Sequence, residues 1–216
     1  MKMKPKLLTG SLCALLLGAP TLALAAGPEA WDYLSLELVV TGDAEESGFA
    51  DEDLEGYRLE AAKGLGEFAI VRAASNNYLV EEVLNIDVST QQLGGGAHFP
   101  ITTGNVTLDL WGTLNYERFS YAGMVGTGPG IDVGLRAHLS RELELAATIK
   151  LASDLDFEAG NDADYTGYTL SAAYRLLPAL AIQGSFSNYE LDADFFGESF
   201  KHEHSNVLGA GVRFYY

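Results

Sequence analysis

Two histidines near the end of the chain are the first residues whose type and spacing could support chemistry. His202 and His204 are two positions apart, so in an extended segment both imidazoles point to the same side. With Glu198 or Glu203 they could bind a divalent metal ion, because imidazole and carboxylate groups are common ligands. A solvated pair in a loop is the commoner arrangement. We therefore predict no metal site, no cofactor and no catalytic residue at this motif.

Two acidic stretches are the second feature that could support chemistry. Their carboxylates are Asp43, Glu45, Glu46, Asp51, Glu52, Asp53 and Glu55 in the first stretch, and Asp154, Asp156, Glu158, Asp162 and Asp164 in the second. Neither stretch has the glycine and final glutamate of a twelve-residue EF-hand loop. Weak binding of divalent cations stays open, but we favour charged loops that keep the surface hydrated.

The elements that position these residues are strands, because apolar residues recur at every second position along most of the chain. In the stretch 105–119, Leu108 and Leu110 fall on one face and Thr107 and Asp109 fall on the other. The same alternation predicts ten strands, at 31–41, 56–64, 67–78, 84–98, 105–119, 130–140, 143–153, 165–176, 180–190 and 205–216.

The connections between these strands are predicted to alternate in length. Four are tight, at 64–67, 99–104, 140–142 and 177–179, and five are longer and mostly acidic, at 42–55, 79–83, 120–129, 154–164 and 191–204. In the fourth strand the apolar residues move from even-numbered to odd-numbered positions near Gln92 and Leu93. We predict a bulge at 94–96 to account for this change.

Long strands with one apolar face, short turns at one end and longer loops at the other are typical of a transmembrane barrel. The predicted fold is therefore all-β, a closed antiparallel up-and-down transmembrane β-barrel with ten strands, and eight strands as the fallback. Closure pairs every strand edge, which a bilayer requires because hydrocarbon offers no hydrogen bonds. Closure also stabilises a chain whose only cysteine, Cys13, lies in the first segment.

The alternate polar face of each strand would line the interior of the barrel. The predicted lumen charge network consists of Arg58, Glu60, Arg72, Asp109, Glu117, Asp132, Arg136, Glu144, Lys150, Arg175 and Arg213, with Glu37 and Asp87 placed on the same face. A ten-stranded lumen is narrow, so large charged side chains favour a salt-bridged plug, and a conducting path is the alternative. Aromatic residues such as Trp31 and Tyr116 are predicted to face lipid or its interface.

The first residues predict export. Lys2, Lys4 and Lys6 precede an apolar stretch that ends in Ala23-Leu24-Ala25, so residues 1–25 read as a signal peptide cleaved near Ala25. The barrel domain is then 26–216. Removing the three lysines leaves 10 basic against 30 acidic residues, a formal net charge of −20, which excludes nucleic acid as a partner.

The last residues carry a resemblance. Leu208, Ala210, Val212, Phe214 and Tyr216 form an apolar face that would close the barrel against the first strand. The ending Phe214-x-Tyr216 resembles the C-terminal signal of outer-membrane proteins, and the whole pattern resembles the small outer-membrane β-barrel superfamily of OmpA-type and porin-like barrels. The resemblance implies a monomer in the cell outer membrane of a Gram-negative bacterium, a lipid bilayer and lipopolysaccharide as surroundings, and the barrel-assembly machinery as a partner during biogenesis.

Enzymes of this superfamily offer a further alternative. The ten-stranded outer-membrane proteases, the omptins, use acidic residues and a histidine near the extracellular mouth, but His98 and His138 are predicted near the periplasmic end. Lipid A deacylases pair a histidine and a serine on one strand face, whereas His204 and Ser205 are adjacent. We therefore predict a non-enzymatic structural or surface-interaction protein for envelope integrity or adhesion. A narrow porin-like channel and an outer-membrane protease or lipid A-modifying enzyme are the alternatives.

Overall fold

A computed structural model describes residues 31–46, 52–80, 86–104, 106–157, 161–195 and 198–216. The predicted signal peptide and its cleavage site near Ala25 lie outside the described residues. Every regular element in the described ranges is a strand. Among these residues, no helix is long and apolar enough to cross a membrane.

Alternating side-chain polarity and β-branched or aromatic residues produce ten strands of 12 to 18 residues. They are β1 (Tyr33–Glu46), β2 (Glu52–Leu65), β3 (Ala69–Val80), β4 (Ile86–Thr103), β5 (Val106–Tyr121), β6 (Met124–His138), β7 (Leu143–Phe157), β8 (Asn161–Leu177), β9 (Leu180–Phe195) and β10 (Glu198–Tyr215).

The ten strands form one closed antiparallel barrel in which each strand pairs with its neighbours in sequence. The first and last strands close the ring, from Tyr33 opposite Tyr215 to Glu46 opposite His202. The backbone NH of Tyr216 also donates to the carbonyl of Asp32, at 3.2 Å. The predicted closed up-and-down barrel and its ten strands are confirmed.

The two ends of the barrel differ in their connections. The terminal end carries Tyr33 and Tyr215 and the turns that follow β2, β4, β6 and β8; we call the opposite end the distal end. Strands continue far into the five segments predicted as long distal loops, so those boundaries were wrong. Only two residues, Ala122 and Gly123, separate β5 from β6, and both have positive φ, as a tight hairpin with the right twist requires.

An apolar band surrounds the outside of the barrel from the terminal end to about its middle. The predicted outward face is confirmed on β5, where Leu108 is 39% and Leu110 is 57% exposed. Other exposed members of the band are Leu36, Leu38, Val40, Leu93, Phe99, Ile101, Leu114, Tyr116, Ile131, Val133, Leu135, Leu145, Ile149, Leu151, Tyr168, Leu170, Tyr174, Leu176, Ile182, Leu208 and Phe214.

The polarity of the barrel reverses beyond this band. In the distal part apolar side chains point inward and form the distal core, which comprises Ala44, Leu54, Tyr78, Val80, Val88, Phe119, Tyr121, Ala152, Leu155, Phe157, Ala163, Tyr165, Tyr189, Leu191, Ala193 and Val207. The outward positions there are charged and exposed, for example Asp53, Asp156 and Asp164. The prediction of a polar interior along the full length of every strand was therefore wrong.

The same reversal explains the parity change in β4. Val88, Thr90 and Gln92 point inward, and the pairing of β4 with both neighbours runs without a register shift. The predicted bulge at 94–96 was wrong, because the strand passes from an apolar core into a polar lumen without changing which positions face inward. Asp87, predicted in the lumen, is exposed on the outer surface.

Apart from one shift at the terminal end of β8, register shifts occur in β1, β7 and β10. They lie between Val39 and Asp43, between Ala152 and Leu155, and between His204 and Val207. Asp154 and Asn206, inside two of these bulges, have positive φ. An extra residue reverses which parity faces inward, so His202 and His204 point inward before the bulge and Gly209 and Arg213 do so after it.

Candidate functional site

The charged residues of the lumen lie at the level of the apolar band and contact one another across the barrel. Ten of the eleven residues predicted for the charge network form ion pairs, in five groups: Arg58 with Glu37, Arg72 with Glu60 and Asp132, Glu117 with Lys150, Glu144 with Arg136 and Arg213, and Asp109 with His98. With Glu37 included, the set holds six basic and six acidic side chains, so the charges balance.

Glu144 is the most heavily shared carboxylate of the charge network. Its two oxygens accept hydrogen bonds from Arg136 at 2.6 Å and from Arg213 at 2.7 Å. Arg213 also donates to the amide oxygen of Gln183 at 2.9 Å. Strands β6, β7, β9 and β10 are therefore joined through one buried anion.

A second set of linked charges connects strands β2 to β7 across the lumen. Arg72 donates to Glu60 at 2.7 Å and to Asp132 at 3.0 Å, and Gln92 donates to Asp132 at 2.9 Å. Lys150 contacts Glu117 at 2.9 Å and donates to the amide oxygen of Gln92. Arg72, Glu60, Asp132, Lys150 and Glu117 each have a partner of opposite sign, and the Arg72–Asp132 pair joins strands 60 residues apart in sequence.

Aromatic rings close the lumen toward the terminal end. The terminal cluster consists of Trp31, Tyr33, Ala62, Ile70, Trp111, Ala173, Ala181 and Tyr215. Arg136 lies 4.3 Å from the Trp31 ring and Arg72 lies 4.3 Å from the Trp111 ring, distances typical of cation–π contacts. Arg175, the eleventh predicted residue, stacks on Tyr215 at 4.1 Å. The prediction that Trp31 faces lipid was wrong.

His98 and His138 lie at this terminal end, on the lumen side. The Nδ1 atom of His98 is 3.1 Å from the carboxylate of Asp109, which also accepts a hydrogen bond from the Trp31 indole at 2.8 Å. His138 lies 3.8 Å from Glu144. Both histidines therefore belong to the polar filling of the lumen.

The distal core closes the other side of the charge network. Phe119 contacts Phe157 and Tyr165, and Tyr165 stacks on Tyr189 with ring centroids 5.6 Å apart. Gly126 lets the Phe157 ring lie against the backbone of β6, because any side chain there would collide with that ring. Between the two packed layers the lumen contains a cavity of about 120 Å³, large enough for several waters.

His202 and His204 belong to this distal core and are not a solvated pair, so that interpretation was wrong. Both are buried, and their Nε2 atoms are 2.7 Å apart. Burial lowers the pKa of His202 to about 4, and burial with the nearby His202 lowers the pKa of His204. Glu203 points outward instead, so it does not share the side of the two imidazoles.

The sequence analysis did not anticipate the distal core. A signal for it exists in β5, where Tyr116 is exposed but Phe119 and Tyr121 are buried. Tyr116 and Phe119 are three positions apart, and residues at that spacing lie on opposite faces of a strand. The sequence therefore contains the signal that the apolar face of β5 changes sides between them. The predicted strand 105–119 includes Phe119, but the prediction ends the strand there and places Tyr121 in a loop.

The C-terminal residues lie in the closing strand. Phe214 is exposed at the terminal edge of the band, opposite Leu34 and Leu180. The Tyr216 hydroxyl donates to the carbonyl of Ala62 at 3.2 Å. The predicted role of Phe214 and Tyr216 as a barrel-assembly signal stays a prediction.

Comparisons with known proteins identify the architecture. No family model matches the chain, and no curated protein sequence does. The outer membrane protease OmpT from Escherichia coli matches at 12% identity over 85% of this chain and 96% of that chain, with a TM-score of 0.52. Neisserial surface protein A matches at 13% identity over 85% and 96%, with a TM-score of 0.42.

Another of the solved structures is that of Ail, the attachment invasion locus protein of Yersinia pestis. It matches at 14% identity over 85% of this chain and 99% of that chain, with a TM-score of 0.33. At 12% identity and a TM-score of 0.52, the likeness to OmpT shows the fold alone. The chain has the closed β-barrel architecture of small outer-membrane proteins.

Proposed function

We propose, from its outer-membrane β-barrel fold, that this chain is a non-conducting barrel with a structural or surface-interaction role in the outer membrane. The observation that carries the proposal is the filling of the lumen. A terminal cluster, a balanced charge network and a distal core follow one another along the axis. A permeating ion would have to displace all three layers.

The apolar band supports the location in a membrane. On β5 it extends from Leu108 to Tyr116, about 26 Å along the strand. At the usual strand tilt of about 35–45° this is roughly 20 Å of height, close to the band of roughly 25 Å that outer-membrane barrels carry. Both termini lie at one end, which would be the periplasmic end. The distal core would then stand outside the bilayer, on the extracellular side.

The distal part supports an interaction role. Its outer surface carries exposed carboxylates, among them Glu45, Asp53, Asp154, Asp164 and Asp192, whereas its large apolar side chains point inward. A rigid, acidic surface held above the membrane suits contact with a cationic partner, since complementary charge accelerates association. Non-enzymatic action fits the described histidines, because none of them lies on this surface.

Planar bilayer recording tests the filled lumen. Purified protein inserted into a bilayer in 1 M KCl is expected to give no stable conductance, because the lumen is occupied at three levels. A reproducible open state in the unmodified protein would contradict the proposal and favour the narrow porin-like channel. Gel migration of unheated and boiled samples establishes that the inserted protein is the closed barrel.

A binding assay tests the surface role separately. Protein in lipid vesicles is expected to retain a cationic peptide such as polylysine, and retention is expected to fall as salt rises from 50 to 500 mM because exposed charges are screened. Charge reversal at Asp154 and Asp164 is expected to weaken retention several-fold. Retention equal to that of empty zwitterionic vesicles would contradict the surface role.

A further inference from the structure

The two imidazoles of the distal core converge on one point. His202 and His204 project from the same side of β10, and their Nε2 atoms face each other at 2.7 Å. A hydrogen bond at this distance requires that one Nε2 carries the proton and the other accepts it. The shared proton occupies the acceptor's lone pair, so both Nε2 atoms can face a cation only when that proton moves to another ring nitrogen.

The surroundings of the pair are aromatic and apolar. The His204 ring lies edge-on to Tyr78 at 4.8 Å, and the His202 ring lies edge-on to Tyr121 at 5.0 Å. A small void of about 10 Å³ touches both histidines, Tyr78 and Leu191. Within the described residues, no group of three or more His, Cys, Asp or Glu side chains could hold a metal ion.

These surroundings decide which ion the pair could hold. Two neutral imidazoles without a carboxylate leave the full charge of a bound cation uncompensated. The cost of burying an ion in apolar surroundings rises with the square of its charge. A divalent ion is therefore strongly disfavoured relative to a monovalent one, and the ring faces offer cation–π stabilisation.

A soft sulfur donor lies opposite a residue whose ring contacts the pair. Met124 is the only methionine after residue 25, and it packs against the distal core. It is opposite Tyr121 at the β5–β6 turn, and the Tyr121 ring contacts His202. Thioether sulfur is a ligand that selects monovalent copper over harder ions.

We propose that His202 and His204 form a binding site for a soft monovalent cation of the Cu⁺ class, with the Met124 thioether as an additional donor at the distal entrance. Metal–nitrogen bonds are about 2 Å long, so the two Nε2 atoms must separate to roughly 3.3–4 Å. Rotation of the two rings provides this separation. Binding releases the shared Nε2 proton from its place between the nitrogens to Nδ1 of the same ring. The site goes beyond the proposed structural role and does not depend on it.

Silver ion is the probe that tests the site, because Ag⁺ is a redox-stable substitute for Cu⁺. Isothermal titration of the full barrel in detergent and nitrate buffer is expected to give one Ag⁺ per chain, bound at least tenfold more tightly than Zn²⁺. The variant His202→Asn/His204→Asn is expected to bind at least tenfold more weakly. The matched control His98→Asn/His138→Asn removes the other two histidines and is expected to retain the affinity.

A second measurement uses the unmodified protein, in case the double variant fails to fold. X-ray absorption of the Cu⁺-loaded barrel is expected to show two nitrogen ligands at about 2 Å and a sulfur ligand. Met124→Leu is expected to lose the sulfur signal and to bind Ag⁺ several-fold more weakly. The proposal is overturned if the unmodified barrel binds no Ag⁺, if it prefers Zn²⁺, if the His98/His138 variant loses binding instead, or if no sulfur ligand is seen.

Discussion

Leu114 in the band-bearing part of the barrel points outward and is 69% exposed, whereas Leu155 in the distal part points inward and is 1% exposed. The two leucines lie in the same kind of strand but in barrel sections of opposite polarity. In the first section the outer surface is apolar and the centre is charged. In the second section the centre is apolar and the surface is acidic. In the band-bearing section the charged groups are buried inside the barrel, and in the distal section the apolar groups are buried inside it, because each kind of group is unstable in the surroundings outside.

Two ion pairs of equal length, one in each environment, test this comparison, and the buried one gives the largest expected change in the free energy of unfolding. Lys150–Glu117 and Lys201–Glu190 are both 2.9 Å long, but the first is buried in the lumen and the second lies on the distal surface, where its side chains are 48% and 35% exposed. Lys150→Met is expected to lower the free energy of unfolding by about 3–5 kcal/mol, because Glu117 remains buried without its partner.

The control for this prediction is Lys201→Met, which is expected to change the free energy of unfolding by less than about 0.5 kcal/mol, since water screens an exposed pair. Urea unfolding in lipid vesicles, followed by tryptophan fluorescence, measures both variants. Equal losses for the two lysines would show that the lumen is as well solvated as the surface.

Truncation of one leucine in each section tests where apolar packing stabilises the barrel. Leu155→Ala leaves a cavity in the distal core and is expected to cost about 2–5 kcal/mol. Leu110→Ala faces the band, where lipid chains fill the space that is left, so the expected loss is roughly 1 kcal/mol or less. The same unfolding assay measures the destabilisation of both variants. A larger loss of stability for Leu110→Ala than for Leu155→Ala would show that apolar packing stabilises the barrel mainly at the band and would contradict the prediction.

Introducing an outward charge tests the position of the band. Leu114→Arg is expected to destabilise the barrel by about 1–3 kcal/mol, because an arginine between the centre and the edge of the apolar band is poorly solvated. Asp156→Arg, at an exposed distal position, is expected to be neutral within about 0.5 kcal/mol. Folding yield into vesicles gives a second reading, and an unchanged yield for Leu114→Arg would place β5 outside the bilayer.

Acid is expected to weaken the distal section through His202. Its pKa in the folded barrel is about 4, below the ordinary value of 6.5, so the unfolded chain binds a proton first. The stabilisation is present above about pH 6.5 and is lost as the pH falls toward 4. Between pH 7 and pH 5 the loss is about 2 kcal/mol for this residue alone.

The measurement compares urea midpoints at pH 7 and pH 5 in the unmodified barrel and in His202→Asn/His204→Asn. The groups that lie near the pair in the distal core are the phenols of Tyr78, Tyr121, Tyr165 and Tyr189, which do not titrate in this range. A pH dependence that is the same in the variant would assign the acid sensitivity to carboxylates elsewhere.

Much of the band-bearing part followed from the sequence alone. Alternation such as that from Leu108 to Tyr116 fixes the strand and its outward face, because side chains on a strand alternate and lipid accepts only apolar ones. The number of such segments gave ten strands, and the apolar ending at Tyr216 required a partner strand. The lumen-facing charges, such as Arg72 and Asp132, were identified by the same alternation.

The tertiary structure alone decided which charges meet and what fills the distal section. Arg213 contacts Glu144 across 69 residues of sequence, a pairing set by barrel register, which local patterns do not contain. An inward apolar residue such as Leu155 and an outward one such as Leu114 look alike in the sequence, because alternation shows that two faces differ but not which face meets lipid. Only closure of the barrel and the height of the band assign the inside and the outside.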